Sequence, residues 1–143
     1  GLGEAVGYCG TDVMLLAQTL GLNSWWVGGT YSRKGVGRNA APEAGKLLGL
    51  IALGYGATQG VPHKSKRAEE IASYAGPAPD WFARGVEALL LAPTALNKQA
   101  FAVRGEGRRV FLTCNNGAFS GVDLGIGKSH FELGAGRENF DWA

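Results

Sequence analysis

The sequence predicts a mixed α+β domain. Helical periodicity is found in three separate stretches, residues 3–20, 80–92 and 120–133. Between them lie a continuous apolar run of strand length, residues 47–55, and two short apolar segments that flank Gly105-Glu106-Gly107 in the manner of a hairpin. The chain therefore combines helices and strands in one domain.

Length and composition describe one ordinary globular domain. We interpret residues 1–143 as a single domain whose internal boundary lies at the Gly/Pro-rich residues 75–79. A net charge of +2, with no basic run interleaved with aromatics, argues against nucleic acid as a partner. Cys9 and Cys114 lack metal-ligand spacing, and neither a secretory signal nor an apolar run of membrane-spanning length is found. We therefore expect a cytoplasmic protein that has no membrane partner. We also expect its two thiols to be reduced, and a single disulfide between them is the alternative.

The first predicted helix covers residues 3–20. Its apolar residues recur at helical spacing as one stripe: Val13, Leu16, Ala17 and Leu20. Gly21 is the natural residue just past the helix end.

A glycine pair, Gly28-Gly29, follows a short apolar segment that contains Trp25 and Trp26. Because glycine has no Cβ, main chain at such a pair can lie flat against a planar ring. A plain turn is the alternative, and the two glycines by themselves favour it.

The next two stretches differ in polarity. Residues 31–42 are predicted to form a basic loop that contains Arg33, Lys34 and Arg38. The loop is either solvated or lines an entrance for anionic nicotinamide phosphates. Residues 47–55 are continuously apolar, which predicts a strand covered on both faces at the centre of its sheet.

Two lysines, Lys64 and Lys66, follow that strand. Side chains two residues apart in an extended segment point the same way, so both ammonium groups could reach one phosphate. A solvated charge run is the alternative. His63 has no acid or nucleophile nearby in sequence, and we expect it to face solvent. Residues 69–74 predict a short helix.

The most informative stretch follows the predicted helix of residues 80–92. That helix has one apolar face, formed by Phe82, Val86, Leu89 and Leu90. Pro93 ends it, and Thr94, Asn97 and Gln99 follow within six positions. Asn and Gln each carry a carbonyl acceptor and an amide donor, which suits the edge of a planar heterocycle such as an isoalloxazine. A capped helix end followed by a polar loop is the alternative.

The last predicted helix, residues 120–133, begins at a predicted N-cap pair of Ser120 and Asp123. Three glycines in or beside it each cost about 1 kcal/mol of helix propensity: Gly125, Gly127 and Gly134. We expect a close contact with another helix or a subunit to compensate.

Several of these stretches together resemble the FMN-dependent nitroreductase family. Residues 92–99, Ala-Pro-Thr-Ala-Leu-Asn-Lys-Gln, are similar to its Ala-Pro-Ser-Ala-x-Asn-x-Gln element, and Ala-Leu-Gly-Tyr at 52–55 resembles the end of a central strand. The Gly-Gly loop and the Lys-Ser-Lys of 64–66 match two further elements. Residues 122–133 resemble the Asp-x-Gly-Ile-x-x-x-His-Phe-Glu-Leu helix of one nitroreductase-like subgroup. The resemblance implies a nitroreductase-like fold with a central, mainly antiparallel sheet flanked by helices.

The resemblance also implies a function: reduction of nitro or quinone compounds by NAD(P)H through bound FMN. The implied cofactor-binding residues are Gly28, Gly29, Lys64, Lys66, Thr94, Asn97 and Gln99. The glycines would face the N5 and O4 edge of the flavin, and the lysines its phosphate. The flavin performs the chemistry, so no catalytic acid, base or nucleophile is predicted. The alternative function is a flavin-binding or assembly module without turnover.

Two departures from the family pattern bear on partners. The basic Arg-Arg-Ser-x-Arg element at the family's N-terminus is absent, and the Asn/Gln element follows the Gly-Gly loop instead of preceding it. Both facts, and a start at Gly1 without Met, fit the C-terminal part of a longer protein with two related halves. Five large aromatics also exceed what a small domain easily covers: Trp25, Trp26, Phe131, Phe140 and Trp142. We therefore expect a homodimer, or a missing N-terminal segment, as partner.

Overall fold

The computed structural model describes residues 1–39 and 45–143, which form two compact units. The larger unit contains residues 1–11 and 61–143, and the smaller unit contains residues 12–60. The Gly/Pro-rich residues 75–79 lie inside the larger unit, and the units divide elsewhere, after residue 11 and after residue 60.

Helices and strands alternate along the described chain. The helices are α1 (Leu2–Thr19), α2 (Arg33–Asn39), α3 (Ala68–Ile71), α4 (Asp80–Leu89) and α5 (Ser120–Ala135). The strands are β1 (Asn23–Val27), β2 (Leu50–Gly54), β3 (Ala72–Tyr74), β4 (Phe101–Glu106), β5 (Arg109–Cys114) and β6 (Asp141–Trp142). Short 3₁₀ turns occupy Ala95–Asn97, Gly117–Phe119 and Arg137–Asn139. The predicted α+β class is confirmed.

The larger unit is built on a four-stranded sheet in the order β3-β4-β5-β6. β4 and β5 form the predicted antiparallel hairpin, with Phe101 opposite Cys114 and Glu106 opposite Arg109. Gly107 turns the hairpin at a φ of 55°, a conformation that glycine adopts at little cost. β3 and β6 run parallel to their neighbours, and β1 and β2 form a separate antiparallel pair in the smaller unit. The two longest pairings are thus antiparallel, as expected.

The core of the larger unit lies between this sheet and the helices α4 and α5. β4 alternates strictly, with Phe101, Val103 and Gly105 buried and their neighbours exposed. The apolar face predicted for α4 is confirmed, because Phe82, Val86 and Leu89 are buried. On α5, Ile126 and Phe131 complete the core.

Close helix contacts explain the glycines of α5. A Cβ on Gly125 would stand 1.9 Å from the carbonyl oxygen of Glu4 on α1, and one on Gly134 would stand 2.4 Å from that of Arg84 on α4. A Cβ on Gly127 would stand 2.7 Å from the ring of Phe101. The expectation of compensating close packing is confirmed, and the partners lie within the chain.

Predictions for the smaller unit were partly wrong. β2 exists but pairs with β1 alone within the described residues, and Leu53 is 48% exposed, so it is not a strand covered on both faces. A continuous apolar sequence does not show whether a strand is covered on both faces or exposed to solvent on one of them. In the stripe of α1, Ala17 is buried while Val13, Leu16 and Leu20 are exposed.

The basic loop predicted at residues 31–42 contains the helix α2, and residues 40–42 lie outside the described part of the chain. The helix predicted at residues 69–74 is divided between α3 and β3. Residues 72–74 become a strand because they pair with Val103–Gly105 of β4, a contact that local sequence does not reveal.

Two predictions for the C-terminal region were also wrong. Ser120 and Asp123 do not cap α5: the Ser120 Oγ accepts the N–H of Asn116 at 2.8 Å, and Asp123 bonds elsewhere, as described below. Phe131 and Phe140 are fully buried against each other and Trp142, so they supply no free aromatic surface. In contrast, Trp25 is 67% exposed. Among the described residues, no helix combines the length and apolarity needed to cross a membrane.

Candidate functional site

Five of the seven predicted site residues meet in the larger unit. We call them the Lys–Gln cluster: Lys64, Lys66, Thr94, Asn97 and Gln99. The Asn97 Nδ2 donates to the Lys64 carbonyl at 2.9 Å, and the Gln99 N–H donates to the Thr94 Oγ1 at 2.9 Å. Lys66 contacts Gln99 twice, since its N–H donates to Oε1 at 2.6 Å and its Nζ donates to the Gln99 carbonyl at 2.9 Å. These bonds join two segments that lie about thirty residues apart in sequence.

The loop that carries this cluster has an unusual backbone. Leu96, Asn97 and Gln99 have φ values of 58°, 51° and 45°, in the left-handed region that side chains other than glycine rarely occupy. Such strain persists only where surrounding bonds hold it, and it is found disproportionately at binding and catalytic sites. The hydrogen bonds of Asn97 and Gln99 supply that restraint.

The side chain of Gln99 is directed inward. It is 1% exposed, and its Oε1 accepts from Lys66 while its Nε2 lies 3.2 Å from the Nδ1 of His63. The hydrogen-bonding capacity of this amide is therefore used to hold the two segments together.

The outer surface of the cluster is cationic. Lys64, Lys66 and Asn97 are exposed, and Thr94 is half-buried. Within residues 1–39 and 45–143, the Lys64 ammonium makes no hydrogen bond or ion pair, and the Lys66 ammonium makes one bond and keeps two N–H groups free. Lysine ammonium groups with N–H donors to spare can hold a phosphate.

A buried carboxylate anchors the start of the same loop. Both oxygens of Asp123 accept the N–H of Ala95, at 3.2 and 3.3 Å, and Asn116 donates to Asp123 at 2.7 Å and to the Ala95 carbonyl at 3.0 Å. Burial raises the pKa of the Asp123 carboxyl, against the opposing effect of the two hydrogen bonds. Burial, followed by the charge of Asp123, also raises the pKa of the Cys114 thiol to about 11. Cys114 is thus a neutral thiol at pH 7 and a poor nucleophile.

His63 was missed as part of the site. The expectation that it faces solvent is wrong: it is half-buried, its Nε2 lies 3.3 Å from the Leu91 carbonyl, and its Nδ1 faces Gln99. Asp123 was missed too, because its partner Ala95 lies 28 positions away. Neither contact leaves a signal in a single sequence.

The remaining two predicted residues, Gly28 and Gly29, lie in the smaller unit directly after β1. Gly29 is exposed, and nothing stands within 4 Å of the place where a Cβ would be. The main chain there is accessible to a flat group.

Two open grooves are found in the described part of the chain. One of about 400 Å³ lies on the outer face of β3, β4 and β5, and one of about 290 Å³ lies along β1 and β2. None of the seven predicted residues lines either groove, so the Lys–Gln cluster is a surface patch and not the wall of one of these grooves. Among the described residues, no group of His, Cys, Asp or Glu is suited to hold a metal ion.

Comparison with known proteins gives consistent results. Residues 1–135 match the family model described as "Putative TM nitroreductase". The crystal structure of a "putative nitroreductase" from Thermotoga maritima MSB8 superimposes with a TM-score of 0.70 at 23% identity, over 89% of this chain and 52% of that one. The likeness confirms the expected fold, and the chain spans about half the length of the structure it matches. No curated protein matches the chain.

Proposed function

Because this chain belongs to the TM nitroreductase family, we propose that it forms part of an FMN-dependent oxidoreductase that reduces nitro or quinone compounds with NAD(P)H. In this proposal the Lys–Gln cluster holds the phosphate end of FMN. The observation that carries it is the meeting of Lys64, Lys66, Thr94 and Asn97 in one exposed, hydrogen-bonded patch. When bound, FMN supplies the electron-transfer chemistry, and the protein orients it.

The side chains of the cluster suit a phosphate better than a ring edge. Lys64 and Lys66 can donate charge-assisted hydrogen bonds to a phosphate dianion, and the exposed Asn97 amide can reach the hydroxyls next to it. Gln99 acts indirectly, because its amide is occupied by Lys66 and His63. That Gly28 and Gly29 contact a flavin ring stays a separate prediction for the smaller unit, where nothing stands within 4 Å of a Cβ placed on Gly29.

The second candidate function is flavin binding without turnover. It is favoured by the inward direction of the Gln99 amide, which Lys66 and His63 occupy. Anaerobic addition of NADH or NADPH to the FMN-loaded protein separates the two functions. Bleaching of the flavin absorbance supports the oxidoreductase, and an unchanged spectrum supports the binding module.

The double variant Lys64→Ala/Lys66→Ala tests the phosphate site directly. Because each lysine can supply a charge-assisted hydrogen bond, we expect the Kd for FMN to rise by at least about tenfold, and by more at low salt than at high salt. The measurement is a titration of FMN fluorescence. Riboflavin, which lacks the phosphate, should bind the variant and the parent protein equally.

The matched control is Lys46→Ala/Arg84→Ala, which removes the same charge from two exposed positions outside the cluster. It should leave the Kd for FMN within about twofold, because neither residue belongs to the cluster that is proposed to hold the phosphate. If the cluster variant binds FMN as tightly as the control at low salt, the lysines are not the phosphate site.

A further inference from the structure

We infer that His63 is a positioning residue whose neutral imidazole fixes the amide of Gln99 and, through it, Lys66. The consequence for FMN rests on the proposed function, whereas the contact itself can be tested without a ligand. Nothing in the sequence or in the family comparison points to this residue; the geometry of its two ring nitrogens does.

The neighbours of His63 and Gln99 determine which atoms carry hydrogens. The Lys66 main-chain N–H can only donate, so the Gln99 atom 2.6 Å from it must be the amide oxygen. The Gln99 NH₂ group therefore faces the Nδ1 of His63 at 3.2 Å. Nδ1 must accept this hydrogen bond.

The other ring nitrogen leads to the same tautomer. The Nε2 of His63 lies 3.3 Å from the Leu91 carbonyl, which can only accept, so Nε2 must carry the hydrogen. The reversed tautomer would direct an Nδ1–H towards Ser65 Oγ at 3.4 Å, but it would also bring the bare Nε2 against a carbonyl. The Ser65 hydroxyl itself donates to the Leu90 carbonyl at 3.2 Å. Only the neutral ring with hydrogen on Nε2 satisfies both neighbours.

Protonation of the ring would break this arrangement. A hydrogen on Nδ1 would face the NH₂ hydrogens of Gln99, so an acceptor–donor contact would become a donor–donor contact. The charged residues of the adjoining cluster are Lys64 and Lys66. Within the described chain, no carboxylate bonds the ring; Asp123 is engaged with Ala95 and Asn116. Protonation of His63 should therefore loosen Gln99 and the Lys66 segment that it holds.

The first test needs no flavin. In ¹⁵N-labelled protein, NMR should show neutral His63 with its hydrogen on Nε2, and the side-chain NH₂ signals of Gln99 should shift as His63 is protonated. The His63→Ala variant should abolish that shift and keep the circular dichroism spectrum of the parent protein. The inference would be overturned by a neutral His63 ring with its hydrogen on Nδ1, or by Gln99 signals that do not shift when His63 is protonated.

The second test separates positioning from a merely structural role by conservative rescue. The amide oxygen of an asparagine can take the place of Nδ1 as an acceptor, and it does not titrate. We expect His63→Ala to raise the Kd for FMN about tenfold, the equivalent of one lost hydrogen bond, and His63→Asn to restore most of the affinity.

A pH series completes the test. FMN carries a phosphate that itself titrates near pH 6, so the informative quantity is the ratio of the Kd of the parent protein to that of His63→Asn. This ratio should rise at the pH values at which NMR shows His63 to be protonated. A flat ratio, or equal affinity of all three proteins at every pH, would contradict the inference. If no variant binds FMN, the proposed function fails while the NMR test still decides the role of His63.

Discussion

Asp123 is a buried carboxylate that holds a loop, and this environment makes its charge costly. It is 3% exposed, and burial raises its pKa in spite of the hydrogen bonds from Asn116 and Ala95. In return it satisfies the Ala95 N–H at the start of the left-handed loop that carries Asn97 and Gln99. A single buried side chain thus links α5 to the candidate site.

This raised pKa predicts how stability depends on pH. Because the folded state binds the Asp123 proton more tightly than the unfolded state, the contribution of this group is most favourable below the ordinary carboxyl pKa. It declines as the pH rises through the window between the unfolded and the raised folded value. Urea unfolding at a series of pH values should therefore show the parent protein losing stability relative to Asp123→Asn across this window. If the parent protein instead gains stability relative to Asp123→Asn as the pH rises, the fold stabilises the charged carboxylate.

At the scale of single residues, the sequence shows which residues are candidates for the site better than it shows which residues they contact. Thr94, Asn97 and Gln99 stand out locally because three polar side chains follow a helix-ending Pro93. Their partners are set by tertiary structure: Lys64 and Lys66 each lie 33 positions from the residue they contact. The direction of the Gln99 amide and the role of His63 follow from those partners, so no local pattern could reveal them.

Among the elements, α5 makes the closest contacts. Its glycines allow the backbone of α1 to approach at Gly125 and the backbone of α4 at Gly134. Helix propensity would favour alanine at every one of these positions by about 1 kcal/mol, so the glycines are retained against that preference.

Two alanine variants of the same helix separate propensity from packing. At Gly125 a Cβ would overlap the Glu4 carbonyl, so we expect Gly125→Ala to lower the free energy of unfolding by about 1–3 kcal/mol. At Gly121 the nearest atom to a Cβ is 3.4 Å away, an ordinary contact, so Gly121→Ala should be neutral or stabilising by up to about 1 kcal/mol. Urea unfolding measures both. Equal effects of the two substitutions would show that α1 does not approach α5 as described.

Elements with strong local signals were predictable, and those fixed by pairing were not. The apolar face of α4 and the Gly107 hairpin follow from periodicity and turn chemistry. The sequence predicts a helix at residues 69–74, yet residues 72–74 form a strand because they pair with β4. β2 was predicted as a strand and found, but its neighbours could not be inferred from apolarity.

At the scale of the whole molecule, both strands of the smaller unit carry an exposed large apolar side chain, Trp25 on β1 and Leu53 on β2. β1 and β2 form a two-stranded sheet, and such a pair is marginally stable in water by itself. Cross-strand partners share a face, and Leu53 pairs with Ser24, the neighbour of Trp25, so the exposed Trp25 and Leu53 lie on opposite faces. Exposed apolar side chains on a small sheet are typical of interaction surfaces.

We therefore predict that the chain is a dimer at micromolar concentration and that the β1–β2 sheet contributes to the interface. Replacing Trp25 and Leu53 by Lys places charges where an obligate interface would bury on the order of 2,000 Å² of mainly apolar surface, so this variant should sediment as a monomer. The control is Leu133→Lys, at a residue of the larger unit that is 64% exposed, and it should stay dimeric. Sedimentation equilibrium measures both, and the emission of Trp25 should shift to the red in the monomeric state of the parent protein on dilution. A parent protein that is monomeric at every concentration, or a sheet variant that dimerises as well as the control, would show that these apolar side chains are simply solvated.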